Sequence, residues 1–235
     1  MRALYSWCCS PLHFAVYGKH YDAAKMLIER GADMEHSNKK RWRSPIELAI
    51  SKGYVDMVKM MVDHGAEVDM SVNCDIRNSA MIALLLDSSN TDINEVRYTG
   101  ANMTLLEHAV LMQATDTVRV LLSRGADPTI VSYLCLGGTL LHHIHEDNVD
   151  MVDMLVRYGV DINATNKFKK ALLHGAAAHG MVKVANYLME YRAIPTHVVN
   201  GGMSYLNGMP SQIAEARGHN DLAARLREYE ASYDS

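Results

Sequence analysis

The sequence predicts an all-α protein in which helix-turn-helix units stack into an α-solenoid. A phrase close to Ser/Thr-Pro/Leu-Leu-His-x-Ala recurs along the chain, and Gly-Ala-Asp or a variant follows most copies. The first copy runs from Ser10 to Gly31 and the second from Ser44 to Gly65, so openings and closings are both 34 residues apart. Such a fixed period indicates a repeat array. Further copies open at Thr104, Thr139, Ala171 and Met209.

Each unit contains the local features of two antiparallel helices. The Ser or Thr hydroxyl at the opening is placed to cap the first helix, and proline at the next position suits its first turn. The second helix has apolar residues at helical spacing, as in Ala24, Leu27 and Ile28. Glycines stand where this helix must end with a positive φ. They are Gly31, Gly65, Gly125 and Gly159.

The third copy departs from the pattern. Only 60 residues separate Ser44 from Thr104, whereas two units of 34 residues need 68. The segment from Asn78 to Asp87 merges what should be two helices, and Asp92-Ile93-Asn94 closes the unit without glycine. We expect a shortened repeat that opens near residue 78, with a local kink. The alternative is a complete repeat with short helices.

Three later features also vary. The helix-helix turn after Thr139 is one residue shorter than in the other copies, and Arg192 stands where the sixth copy should have glycine. The last copy, 209–230, ends in a charged helix that suits a capping repeat with a solvated outer face. Only nine residues precede the first copy, so we expect either a longer protein or a partner that covers this end. We expect residues 1–235 to form one repeat domain.

The recurring phrase and its spacing resemble the ankyrin-repeat family over residues 1 to about 230. The resemblance implies helix pairs joined by hairpin fingers, with a concave face that binds partners. It also implies that the histidine of the phrase, as in His13, His142 and His174, holds loops by hydrogen bonds. Where Glu47, Glu107 and Gln212 replace it, we expect this network to be altered rather than lost.

Composition limits the function classes. The formal net charge of −4 argues against nucleic-acid binding through overall electrostatics. The four cysteines lack the spacing of a zinc site or a disulfide framework, which fits a reducing compartment. No apolar run approaches the length of a membrane span. The sequence therefore predicts a protein of the cytoplasm or nucleus, without a membrane or nucleic-acid partner.

The histidines form the one cluster that suggests metal chemistry. His142, His143 and His145 lie within four residues, with His174 and His179 in the next repeat. Imidazoles in this arrangement can bind zinc. However, two of them occupy the phrase position, and no cysteine or carboxylate completes a tetrahedral set. We expect no metal, cofactor or small-molecule substrate, and the absence of phosphate-loop and nucleophile motifs predicts that the protein is not an enzyme.

The family resemblance places partner contacts on the first helices and the fingers. The variable helix positions are Tyr17 and Gly18, Ser51 and Lys52, Leu111 and Met112, Glu146 and Asp147, and Ala178 and His179. Two fingers are basic and aromatic, and a third is apolar where a polar turn is expected; this third finger either contacts a partner or folds back as core. The residues predicted to contact a partner are Tyr17, Lys40, Arg41, Trp42, Arg43, Lys52, Leu111, Met112, Tyr133, Leu134, Lys167, Phe168 and Lys169.

These residues predict a partner with an apolar anchor and acidic flanks, because Trp and Arg are enriched at binding hot spots. The leading interpretation is a non-catalytic adaptor, scaffold or inhibitor that recognises one protein. The alternative is a permanent structural subunit of a large assembly, which the sixteen methionines also suit.

Overall fold

A computed structural model describes residues 10–35, 43–68, 74–96, 103–131, 138–196 and 208–233. The chain divides into two compact units, Met1–Ile93 and Asn94–Ser235. Each unit is described separately below. The described residues are predominantly helical, as the sequence predicts.

The first unit consists of paired short helices. Helix α1 packs on its own partner α2 and on α3, the first helix of the next pair, and α4 contacts both α3 and α5. Apolar side chains between them, such as Leu12, Ile50 and Met61, are almost fully buried. The helices are α1 Pro11–Tyr17, α2 Tyr21–Glu29, α3 Pro45–Ser51, α4 Val55–Asp63 and α5 Ser79–Ser88.

The second unit repeats the same pairing. Contacts join α6 to α7, α7 to α8, α8 to α10, α9 to α10 and to α11, and α11 to α12. Its core includes Leu121, Leu155 and Leu188, none of which is exposed. The elements are α6 Leu105–Leu111, α7 Thr115–Ser123, a 3₁₀ helix Leu140–His143, α8 Val149–Arg157, α9 Leu172–His179, α10 Val182–Glu190, α11 Pro210–Ala216 and α12 Asn220–Tyr233.

The predicted cap by the opening hydroxyl is confirmed at Ser44 and Thr104, whereas the hydroxyls of Ser10 and Thr139 make no such bond. The Ser44 hydroxyl accepts a hydrogen bond from the Glu47 N–H at 3.3 Å, and the Thr104 hydroxyl accepts one from the Glu107 N–H at 3.1 Å. Each bond satisfies one of the backbone donors that a helix leaves unpaired at its N-terminus. Proline occupies the first turn of α1, α3 and α11.

Two segments depart from the regular helix pair. Residues 74–96 contain one helix, α5, and the interpretation of this segment as a shortened repeat with a local kink stays a prediction. In the fifth copy, the prediction of a first α-helix is wrong, because the structure has only the four-residue 3₁₀ helix Leu140–His143 at this place. Thr139 precedes Val149 by ten residues, whereas Ser10 precedes Tyr21 by eleven. The chain therefore extends at Ile144, with ψ at 120°, and reaches α8 without completing another turn.

The second helices end at residues with a positive φ, as predicted from the glycines at these positions. Gly31 and Gly65 have φ of 81° and 90°, and Arg192, which replaces glycine after α10, is held at φ 54°. A side chain with a Cβ is strained in this region, whereas glycine is not. The sixth repeat therefore ends with a backbone conformation that its residue type disfavours.

Replacing Arg192 by glycine should relieve this strain. We expect Arg192→Gly to raise the free energy of unfolding by about 1 kcal/mol, or Tm by about 2–4 °C. Arg192→Ala is the matched control, because it removes the same exposed side chain but keeps a Cβ at positive φ. Thermal unfolding followed by circular dichroism measures the difference, and equal Tm values for the two variants would contradict the explanation.

Candidate functional site

The histidines of the recurring phrase tie each repeat to the next. In the first repeat, Nδ1 of His13 accepts a hydrogen bond from the Ser10 N–H at 3.0 Å, and its Nε2 donates to the Arg43 carbonyl at 3.0 Å. His174 is arranged in the same way, with the Ala171 N–H at 3.1 Å and the Thr196 carbonyl at 2.8 Å. His142 makes the equivalent pair of bonds, with the Thr139 N–H at 3.0 Å and the Lys170 carbonyl at 2.8 Å. The predicted role of these histidines in holding loops is confirmed.

Substitutes for this histidine keep only part of its hydrogen bonding. The Glu47 carboxylate accepts from the Ser44 N–H at 2.8 Å, and the Gln212 amide oxygen accepts from the Met209 N–H at 2.9 Å. Glu107, which is fully buried, instead places Oε1 at 3.3 Å from Nε2 of His143 in the next repeat. The network is altered rather than lost, as predicted.

The histidine cluster is not arranged as a metal site. Within the described ranges, no three His, Cys, Asp or Glu side chains are grouped so that they could hold a metal ion. His142 and His174 use both ring nitrogens for backbone hydrogen bonds, and Nδ1 of His145 lies 3.0 Å from the carbonyl of His143.

Among the residues that the structure describes, no helix has the length and apolar character needed to cross a bilayer.

Burial lowers the pKa of His174 below its ordinary value, although its hydrogen bonds to the Thr196 and Ala171 backbones oppose the shift. The charges of Lys170 and His142 lower this pKa further. Folding therefore favours the neutral form of the His174 imidazole, whose Nδ1 can accept a hydrogen bond from the Ala171 N–H. Protonation makes Nδ1 a donor and breaks that bond.

The repeat array should consequently lose stability in mild acid. The unfolded state binds more protons than the folded state as pH falls through the ordinary histidine pKa of about 6.5, so the His174 contribution is complete above that pH and declines below it. We expect the free energy of unfolding in urea to be smaller at about pH 5.5 than at pH 7.5. His174→Gln, which preserves an acceptor as Gln212 does, should reduce this pH dependence; an unchanged dependence would contradict the assignment.

An exposed aromatic cluster lies on the first unit. Phe14 and Tyr17, one turn apart on α1, are 60% and 68% exposed. The Nζ of Lys52 lies 5.2 Å from the centre of the Tyr17 ring, and Lys19 is similarly placed 5.3 Å from Tyr54. The structure thus brings together Tyr17 and Lys52, two of the predicted contact residues. We call Phe14, Tyr17, Lys19 and Lys52 the α1 cluster.

Sequence reasoning missed Phe14. It considered the positions seven and eight residues after the helix cap, whereas Phe14 lies four residues after Ser10. The spacing of Phe14 and Tyr17 by three residues places them on one helix face, and this period could have identified the pair. Two large apolar side chains exposed together on one turn are typical of an interaction surface.

The other predicted contacts have varied environments. Leu111 and Met112 are half-buried, and Arg43 is exposed. Phe168 is half-buried between two lysines, with Nζ of Lys167 at 5.1 Å and Nζ of Lys170 at 6.0 Å from its ring centre. Lys169 lies at φ 60°, so the finger keeps the turn that glycine usually makes. The predicted contacts that fall outside the described residues are Lys40, Arg41, Trp42, Tyr133 and Leu134.

Asp147 was placed on the variable face, but its carboxylate is used within the fold. Oδ2 accepts the Lys183 N–H at 3.0 Å and Oδ1 accepts the Val184 N–H at 2.8 Å. These donors belong to the first turn of α10, whose own N-terminal residue, Met181, supplies no capping side chain. One repeat therefore caps a helix of the next, which favours a negative charge at that position.

Loss of this cap should destabilise the second unit. We expect Asp147→Ala to lower the free energy of unfolding by about 1 kcal/mol, and Asp147→Asn to cost less because an acceptor oxygen remains. Glu146→Ala is the control, since Glu146 is an exposed neighbour of the same charge. Urea unfolding measures the three variants, and equal losses for Asp147→Ala and Glu146→Ala would show that the cap contributes nothing specific.

Comparison with known proteins adds sequence relatives. A family model described as ankyrin repeats (3 copies) matches residues 5–72, and a single ankyrin-repeat model matches residues 136–167. The B-cell lymphoma 3 protein homolog of Mus musculus is 27% identical over 152 residues, which are 63% of this chain and 32% of that protein. The Homo sapiens B-cell lymphoma 3 protein is 27% identical over 120 residues, or 50% of this chain and 26% of its own length. The chain thus spans less than two thirds of either relative.

Solved structures share the fold. The ankyrin repeat domain of Bcl-3, described as a unique member of the IkappaB protein family, superposes with a TM-score of 0.64 and 25% identity, covering 92% of this chain and 98% of that domain. The human ASB11 ankyrin repeat domain also gives a TM-score of 0.64, with 23% identity over 90% of this chain and 98% of that domain.

Proposed function

Since the chain is an ankyrin-repeat protein, we propose that it is a non-catalytic protein-interaction module, acting as an adaptor, scaffold or inhibitor. The surface that recognises the partner is the exposed face of the first helices, centred on the α1 cluster. The carrying observation is the pair Phe14 and Tyr17, which expose most of their surface on a helix whose opposite face is buried.

The α1 cluster has the composition of a binding hot spot. Aromatic side chains contribute a large contact area with little loss of conformational freedom, and Tyr is enriched at hot spots. The contact between Lys52 and Tyr17 holds the ring in place before a partner arrives, which reduces the entropy lost on binding. Phe14 and Tyr17 would therefore insert into an apolar recess of the partner.

Cations around the two rings support an acidic partner. Lys52 is exposed beside the Tyr17 ring, Lys19 is exposed just after α1 and lies beside Tyr54, and Arg43, also exposed, precedes α3. Opposite charges across an interface raise the association rate and select against wrong partners. The proposed partner is therefore a protein with acidic flanks, as the sequence predicts, and with an apolar recess at this contact instead of the predicted apolar anchor.

A capture experiment with matched variants tests this proposal. Wild-type protein, Phe14→Ala/Tyr17→Ala and a control, Met26→Ala/Tyr158→Ala, are used as bait in a lysate of the source cells, and bound proteins are quantified by mass spectrometry. Met26 and Tyr158 are 52% and 49% exposed, so the control removes comparable apolar surface elsewhere. We expect the partner to bind wild type and control, and to bind the α1 variant at least 10-fold more weakly, as hot-spot truncation does.

Three results would contradict it. If the α1 variant retained every protein as well as wild type does, recognition would lie elsewhere on the surface. If binding did not depend on salt concentration, the proposal that the partner has acidic flanks would be wrong. Recovery of the chain only within one large complex, with aggregation of the purified protein, would favour a permanent structural subunit instead.

A further inference from the structure

A small pocket opens on the second unit, between the 3₁₀ helix, α9 and α11. Its volume is about 200 Å³, and aliphatic side chains of all three elements line it, among them Leu141, Leu172 and Ile213. Apolar cavities of about 150 Å³ can hold a benzene ring. The pocket therefore has room for one large apolar side chain.

Two small residues of α9 stand at partly exposed positions beside the pocket. Gly175 and Ala178 lie four and seven residues after Ala171, at the positions that Phe14 and Tyr17 occupy after Ser10. Both α9 residues line the pocket. Where the first repeat presents two rings, the sixth repeat presents a recess.

The fold does not require glycine at residue 175. Gly175 lies inside α9 and outside the positive-φ glycines, and a Cβ added there would meet no heavy atom within 4 Å. Glycine in a helix interior is destabilising relative to alanine, because it loses more backbone freedom on folding. Gly175 therefore destabilises α9 although no neighbouring atom excludes a larger residue. Because Gly175 lies at the wall of the pocket, this indicates that the open space of the pocket has a use.

Cations surround this pocket. Lys170 and Arg217 line it together with the imidazole of His179, and its described lining contains no Asp or Glu. Burial lowers the pKa of Lys170, so its ammonium group loses hydration that a carboxylate could replace. Lys170 continues the basic finger of Lys167 and Lys169, which extends the positive surface away from the recess.

We infer that this pocket receives one large apolar side chain from a peptide segment of a protein partner, and that carboxylates next to that side chain pair with Lys170 and Arg217. The inference rests on the proposed interaction function and assigns it a second contact, in which the partner supplies the anchor. The occupant is a partner segment because the pocket size matches one side chain, and the positive charge of Lys170 and Arg217 complements carboxylates beside that side chain.

The experiment uses the full chain and a defined probe. A phage-displayed library of random twelve-residue peptides is selected on wild-type protein, and the enriched peptides are then synthesised and their Kd values measured on Gly175→Ala and Gly175→Leu. Gly175→Leu fills the recess, whereas Gly175→Ala adds one methyl group and leaves most of it open. Because the added Cβ has free space, both variants should fold, with Tm equal to that of wild type or higher by about 2–4 °C.

We expect enriched peptides with Phe, Leu or Met flanked by Asp or Glu, bound at least 10-fold more weakly by Gly175→Leu and nearly unchanged by Gly175→Ala. Lys170→Glu/Arg217→Glu should weaken the same peptides at least 10-fold, with less effect on versions whose acids are replaced by Gln. Amide shifts induced by the peptide should map to 141–144, α9 and α11.

Several outcomes would overturn the inference. They are no enriched peptide, peptides unaffected by Gly175→Leu, selection of basic or purely polar peptides, and inorganic phosphate that shifts the same amides and displaces the peptide. A lower Tm for Gly175→Ala would show that folding demands the glycine. Since Phe14 and Tyr17 are untouched in these variants, failure here leaves the α1 test independent.

Discussion

The supply of hydrogen-bond acceptors to helix N-termini is the constraint on which the rest of this structure depends. Most of its α-helices have only seven to nine residues, and helices of this length are marginal alone because most of their first-turn donors have no partner inside the helix. Neighbouring elements supply what is missing. Asp147 caps α10 from the preceding repeat, and the Glu230 carboxylate on α12 accepts both the N–H and the hydroxyl of Ser211 at the start of α11.

This constraint commits most of the buried polar groups to folding. His13, His174, Glu230 and Ser211 are at most 8% exposed, and each has a hydrogen-bond partner. Groups held in this way are not available for proton transfer or ligand binding, because unsatisfied buried donors are costly. Under the proposed interaction function, variation that serves recognition is therefore left to the exposed positions of the first helices and to the fingers.

The sequence was sufficient for the repeat period, the caps at Ser44 and Thr104 and the glycine ends, because each depends on residues close in the chain. It did not predict the Asp147 cap, whose donors lie 36 and 37 residues away, since that bond depends on the register between neighbouring repeats. The recess at Gly175 was missed for another reason. A pocket formed by the absence of side chains has no motif, and its volume depends on three elements distant in sequence.

Two first helices use the same exposed positions in opposite ways. At Phe14 and Tyr17 the chain projects rings, and at Gly175 and Ala178 it forms a recess, yet cations accompany both. The formal net charge is −4, so clusters of Lys and Arg at these two places do not follow from overall composition. Electrostatic attraction acts over about 8 Å at physiological ionic strength, whereas apolar contact needs close approach. Local positive charge would thus attract acidic segments in general, and only the ring pair and the recess, each requiring a complementary shape, would distinguish the correct partner among them.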